Sequence, residues 1–172
     1  MVIGALAGVV ATGPMTVVMI LLHRRLPRHE RYPLPPREIT MKLARKAGVA
    51  GELTQETRSA ATLLAHFGYG AVCGAIYATG ADRVPVGAGA KGPLFGLLVW
   101  ATSYLGLLPG AGILSPATKH PARRNALMII AHLVWGAVLA VVTEVFLEET
   151  KSTAAAPLAG SILPHRDVNR PS

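Results

Sequence analysis

Residues 126–147 read ALMIIAHLVWGAVLAVVTEVFL, a run whose one formal charge is Glu144, close to its end. At about 1.5 Å of rise per residue such a helix covers roughly 30 Å, the hydrocarbon core of a bilayer, and it can cross with some tilt. Three further stretches have the same character. Residues 2–22 carry no charge, and neither do 59–79, which include AHFGYGAVCGAIYA. Residues 93–108 are bracketed by Gly92-Pro93 and Pro109-Gly110, the punctuation of a helix that must begin and end there. This third run is short. It is expected to stand perpendicular to the membrane, to borrow residues 84–90 with Lys91 snorkelling, or to continue into a re-entrant turn over 110–114.

The whole composition agrees. Of 172 residues, 51% are hydrophobic and only 15% charged, and the mean hydropathy is +0.42. So much apolar content with so little charge excludes a disordered chain. The 18 glycines and 13 prolines suit transmembrane helices better than soluble ones. A single cysteine, Cys73, excludes an internal disulfide framework and any site needing several thiolates. At the N-terminus nothing basic precedes the first run, and His23, Arg24 and Arg25 follow it directly. That arrangement predicts an uncleaved anchor in place of a signal peptide.

Lys and Arg then set the expected sidedness. Twelve of the 17 lie in the connections after the first and third spans: Arg24, Arg25, Arg28, Arg31, Arg37, Lys42, Arg45, Lys46 and Arg58, then Lys119, Arg123 and Arg124. Positive connections stay in the cytoplasm, so both termini are expected outside. The net charge of +8 serves topology in this reading. The basic residues are not gathered on a soluble module with aromatic stacking platforms, so no nucleic acid is expected. The bilayer is the expected partner, with anionic headgroups drawn to the first connection.

Within that connection, Ile39, Leu43 and Ala47 recur at steps of four, opposite Glu38, Lys42, Arg45 and Lys46. A short amphipathic helix over about 36–48 follows, with Pro36 in its first turn and Gly48 at its end. It either lies on the cytoplasmic interface or caps the bundle from below. The bundle is expected to occupy 1–149 and a mobile tail 150–172.

Two segments rhyme. AHFGYGAV at 65–72 and AHLVWGAV at 131–138 agree at five of eight positions, with Tyr69 opposite Trp135. Gly4-x-Leu6-x-Gly8 likewise matches Gly92-x-Leu94-x-Gly96. The expected fold is therefore an all-α integral membrane four-helix bundle, built from two similar helix–connection–helix halves in parallel repeat. Gly4 and Gly8, Gly70 and Gly74, and Gly92 and Gly96 have GxxxG spacing, which lets helices approach within the chain or in a homodimer.

An imidazole in hydrocarbon needs a partner, which makes His66 and His132 the leading site candidates, with Tyr69 and Trp135 beside them as an intramembrane polar site. Histidine can bond across helices, relay protons, or ligate metal or haem. Structural bonding is the plainest of these. If any metal binds, these two histidines are its ligands, although two imidazoles alone make a poor zinc site. No cofactor is expected; a haem b electron carrier with His66 and His132 as axial ligands is one alternative reading, and a proton or small-solute conductor is another. His120, Arg123, Arg124 and Asn125 cluster at a helix start and, with Arg37, offer contacts for an anion or headgroup; helix capping and positive-inside anchoring explain the same residues. Ser/His/Asp order, paired carboxylates and a nucleotide loop are all lacking, so enzymatic chemistry has no positive support.

Taken together, the Pro14-containing first span, RYPLPPREI, AHFGYGAVCGAIYA and PATKHPARRNALMIIAHLVWGA resemble the uncharacterised bacterial inner-membrane proteins grouped around YagU. The resemblance covers roughly residues 2–147. It implies a multi-pass protein of the bacterial cytoplasmic membrane with a link to acid stress, and no established activity or binding residues.

Overall fold

The computed structural model describes residues 1–83 and 85–159. Its regular elements are helical: α1 (Val2–Arg24), α2 (Pro35–Lys46), α3 (Gln55–Gly80), α4 (Ala88–Ala101), a π-helical stretch (Thr102–Leu107) running on into α5 (Leu108–Gly110), and α6 (Ala122–Ala159). Four stretches are long and apolar enough to cross a membrane: Val2–Arg24, Gln55–Gly80, Gly89–Gly110 and Ala122–Thr153. The chain is thus all-α with four candidate spans.

Local chemistry explains where these helices start and stop. Thr54 caps α3, its hydroxyl oxygen accepting from the Thr57 amide at 3.2 Å. Pro35 and Pro36 occupy the first turn of α2, where a missing N–H costs nothing. At the other end of α2, Gly48 takes φ +78°, and Val49 and Gly48 donate to the carbonyls of Ala44 and Arg45. Gly112, at φ +62°, closes the α4–α5 run in the same way through Ile113 to Leu108 and Gly112 to Pro109. Left-handed glycine is what lets the chain turn back onto those last carbonyls.

The third span differs from the 93–108 expected. It runs from Gly89 to Gly110, taking in Gly89, Ala90 and Lys91 from the stretch it was expected to borrow, because the helix does not stop at Pro93 or at Pro109. Pro93 stands near the start of α4, and the stretch before Pro109 widens into a π-helix. Proline cannot bond the carbonyl four residues back and its ring collides with it, so a wider turn there relieves both problems. The fourth span also departs from expectation: α6 continues through Ala159, across the start of the tail placed at 150–172. Residues 160–172 of that tail lie outside the described residues.

α1 packs on both α3 and α6, α4 packs on α6, and α2 packs against α3. Glycine determines the two closest crossings. A methyl group on Gly8 would collide with the Gly70 carbonyl oxygen, and one on Gly4 with that of Gly74, so α1 and α3 touch backbone to backbone. Gly92 meets Gly136, and Gly96 meets the His132 carbonyl, in the antiparallel crossing of α4 with α6. The register is instructive. With His66 aligned on His132, Gly70 falls on Gly136, and the α1 residue opposite Gly70 is Gly8, one turn from the Gly4 that the sequence match sets against Gly92. All these glycines are used within the chain, so the small-residue faces considered for a homodimer are already covered.

α3 meets α4 and the π-helical stretch through side chains, with Tyr77 against Phe95 at 5.3 Å between ring centroids and Tyr69 bonded to Ser103. The inside is dense with Ala7, Ala11, Met19, Leu127, Ala131 and Leu139, while Leu6, Val17, Leu64, Val72, Leu98, Leu107 and Val141 are exposed. Large apolar side chains facing outward, with alanines and glycines at the close helix contacts, are what an oily solvent allows.

Alanine at Gly8 or Gly136 is expected to destabilise the bundle by about 1–3 kcal/mol, whereas Gly68→Ala, with open space around its Cβ, should be neutral or stabilising by up to about 1 kcal/mol. Unfolding of the purified variants in mixed micelles by graded denaturing detergent measures this difference.

Candidate functional site

The two basic connections meet at one end of the bundle. Arg124, only 6% exposed, donates from its guanidinium to the carbonyls of Glu30, Tyr32 and Pro33 at 2.9–3.0 Å and lies 3.4 Å above the Tyr32 ring. The Tyr32 hydroxyl pairs with His120 Nδ1 at 2.9 Å, and His23 Nε2 donates to the Tyr32 carbonyl at 3.0 Å. Asn125 donates to Ala117 at 2.7 Å. His120, Arg124 and Asn125, grouped in the sequence as contacts for an anion, are therefore brought together, with their donors directed at backbone carbonyls of the two connections. Arg123 is exposed, and Arg37 donates to the Gln55 side chain at 3.0 Å.

This clamp fixes the start of α2, whose Pro36, Ile39, Thr40 and Leu43 floor a cavity of about 230 Å³. α1 contributes Thr12 and Met15 to its walls, α3 contributes Ala65, His66, Tyr69, Gly70 and Cys73, and α6 contributes Met128, His132 and Trp135. Val99, Ser103, Tyr104, Leu107 and Leu108 come from α4, the π-helical stretch and α5. The amphipathic helix thus caps the bundle. All four residues expected to form an intramembrane polar site, His66, His132, Tyr69 and Trp135, line this one space.

Their environments differ. His132 is 5% exposed and its Nδ1 stands 2.7 Å from the Met128 carbonyl. A carbonyl only accepts, so Nδ1 carries the proton and Nε2 of the neutral ring presents a lone pair. Tyr104 meets this ring edge to face at 5.9 Å. His66 Nε2 is buried without a hydrogen-bond partner. Trp135 is 2% exposed and points Nε1 at the Gly8 carbonyl at 3.4 Å, whereas Tyr69 is 44% exposed and bonds Ser103 at 2.8 Å. The aromatic pair that matches in sequence is therefore split between core and rim.

On the side away from α2, Trp135 stacks on Phe95 at 6.1 Å between ring centroids and Phe95 meets Tyr77 at a tilt, and Tyr77 and Phe95 line a second hollow with Ile76, Leu94 and Leu98. The exposed lining residues are Leu43 on α2 and Ala65, Tyr69 and Leu107, the last three in the seam between α3 and the π-helical stretch. Sites for drug-sized ligands occupy about 300–1,000 Å³, so a haem macrocycle does not fit here without parting the helices. Among the described residues no group of three or more His, Cys, Asp or Glu side chains is placed to hold a metal ion.

A family profile described as "Protein of unknown function (DUF1440)" matches residues 26–141. The chain belongs to the DUF1440 family. The matched region takes in the first basic connection, α2, α3, α4 and the apolar part of α6, hence the clamp and most of the cavity walls. No curated protein and no solved structure matches this DUF1440 chain.

Sequence reasoning missed Ser103, Tyr104 and Cys73 as lining residues, while a cap formed by α2 was one of its two expectations for that helix. The Pro109 that shapes the π-helical stretch was the available signal, since such stretches gather at functional sites.

Arg124→Lys keeps the charge but not the planar fork that reaches three carbonyls, and is expected to cost about 2 kcal/mol of stability. Arg123→Lys, on the exposed neighbour, should change nothing measurable by thermal unfolding in detergent.

Proposed function

We propose that this DUF1440 protein is a multi-pass protein of the bacterial cytoplasmic membrane that binds a small molecule in the His66/His132 cavity. Both basic connections lie in the cytoplasm and both termini outside, in keeping with the distribution of Lys and Arg. The observation that carries the reading is the buried, unpartnered His66 Nε2 in an apolar space that it shares with His132. An unsatisfied polar atom in hydrocarbon is costly, and a ligand that bonds it offsets that cost.

No Lys, Arg, Asp or Glu lines the space, which favours binding of a neutral molecule over conduction of ions. Its mouth at Ala65, Tyr69 and Leu107 favours arrival from the lipid. Protonation of an imidazole turns its acceptor into a donor, so occupancy would respond to acid, and a stress-related role would act through that change. The two glycine crossings, α1 on α3 and α4 on α6, support descent of the bundle from two similar halves, one turn out of register.

Cys73, the single cysteine, lines the cavity and reports on access to it. In proteoliposomes a small uncharged maleimide is expected to modify Cys73 while a charged, membrane-impermeant one does not, and Ala65→Trp at the mouth should slow the reaction at least about fivefold. Equal reaction with the impermeant reagent would remove the lateral route.

A further inference from the structure

We infer that the occupant of this cavity is a neutral, single-ring hydroxy-aromatic dissolved in the bilayer, a phenol or quinol headgroup, whose hydroxyl donates to His132 Nε2. The inference rests on the binding reading above and names its ligand class.

Three observations converge on this chemistry. First comes the polarity of the bond. Because the proton of His132 is committed to the Met128 carbonyl at 2.7 Å, its other nitrogen can only accept, and the ligand must bring the donor. A quinone carbonyl, an ether or a ketone has none. No Lys, Arg, Asp or Glu lines the space, so a charged ligand would enter hydrocarbon without a counter-charge. That leaves a neutral donor, and a hydroxyl on an apolar frame is the simplest.

Size gives the frame. A cavity of about 150 Å³ lined by apolar side chains holds benzene. The roughly 230 Å³ here takes a ring system of about ten heavy atoms, such as one substituted ring, and excludes macrocyclic systems. The walls suit a ring as well: Trp135 and Tyr104 are buried lining residues, and Tyr104 already makes a T-shaped contact with the His132 ring.

Finally, the opening lies between two spans. Tyr69 and Leu107 stand exposed on either side of it, with the Tyr69–Ser103 bond across the seam. A headgroup arriving from the lipid enters there, and any alkyl tail stays outside in the bilayer, beyond the volume of the cavity. His66 Nε2, buried and unpartnered, supplies a second polar contact inside the same space.

Calorimetric titration of the full-length protein in detergent tests the assignment with four probes: 2,3,5-trimethylphenol, its methyl ether, trimethylhydroquinone kept reduced, and trimethylbenzoquinone. The phenol and the hydroquinone are expected to bind about tenfold more tightly than the ether or the quinone, because those two leave His132 Nε2 unpaired. His132→Gln carries both an acceptor and a donor and should keep binding of the phenol while narrowing the preference over the quinone. His132→Phe should abolish it, and thermal unfolding of both variants establishes that they are folded. Binding of the ether or quinone as tightly as the phenol overturns the hydroxyl assignment while leaving a binding cavity in place. Failure of all four probes, with Cys73 still reached from the lipid, overturns the ring class alone. Failure of the probes together with loss of lateral labelling overturns both readings.

Discussion

Contact between bare helix backbones is the constraint on which this structure depends. At Gly8 against Gly70 and at Gly92 against Gly136 there is no room for a methyl group, so α1 and α3 are pinned at the cavity wall and α4 and α6 one turn past His132. In a bilayer no hydrophobic force draws one apolar helix to another, and close packing at small residues takes its place. Pinned there, the spans leave room toward their basic ends, where larger side chains such as Met15, Tyr104 and Met128 stand between them. The cavity is what remains of that room.

The opening would admit water from the basic end if nothing covered it. α2 does so, and it is held in place by polar interactions that the spans themselves do not supply. Arg124 draws the carbonyls of Glu30, Tyr32 and Pro33 around its guanidinium, just ahead of Pro35, and Lys46 at the far end of α2 donates to the Ala111 carbonyl at 2.7 Å. One cap is thereby tied to two spans. Charge that the sequence suggests for topology is used in the fold as hydrogen-bonding capacity, and these roles are compatible because a guanidinium at a membrane surface can serve both.

Inside, the two histidines occupy one apolar space in different states of satisfaction. His132 is oriented by its own helix, through the Met128 carbonyl one turn back, and Tyr104 packs on its ring. His66 has a buried nitrogen with nothing to bond. A fully structural pair would be satisfied on both sides, as Thr12 is by Gly8 and Thr143 by Leu139. The proposed binding reading rests on this asymmetry between two imidazoles that line one cavity.

Four runs of apolar residues, the prolines and glycines that bound them, and the amphipathic step of Ile39 and Leu43 were legible in the sequence, because length and periodicity are local properties set by helix rise and by the oil around the chain. His66, His132, Tyr69 and Trp135 were legible as candidates for the same reason: a polar atom in hydrocarbon stands out wherever it sits. Which of them face one another was not. The one-turn offset between the glycine crossings, the burial of Trp135 against the exposure of Tyr69, the capture of Arg124 by carbonyls nearly a hundred residues away, and the Ser103 and Tyr104 walls all arise from contacts between distant segments. Local pattern determined that this chain forms membrane-length helices; the tertiary structure alone decided where they touch, because in lipid that choice rests on shape and hydrogen bonding between surfaces that the sequence lists only one at a time.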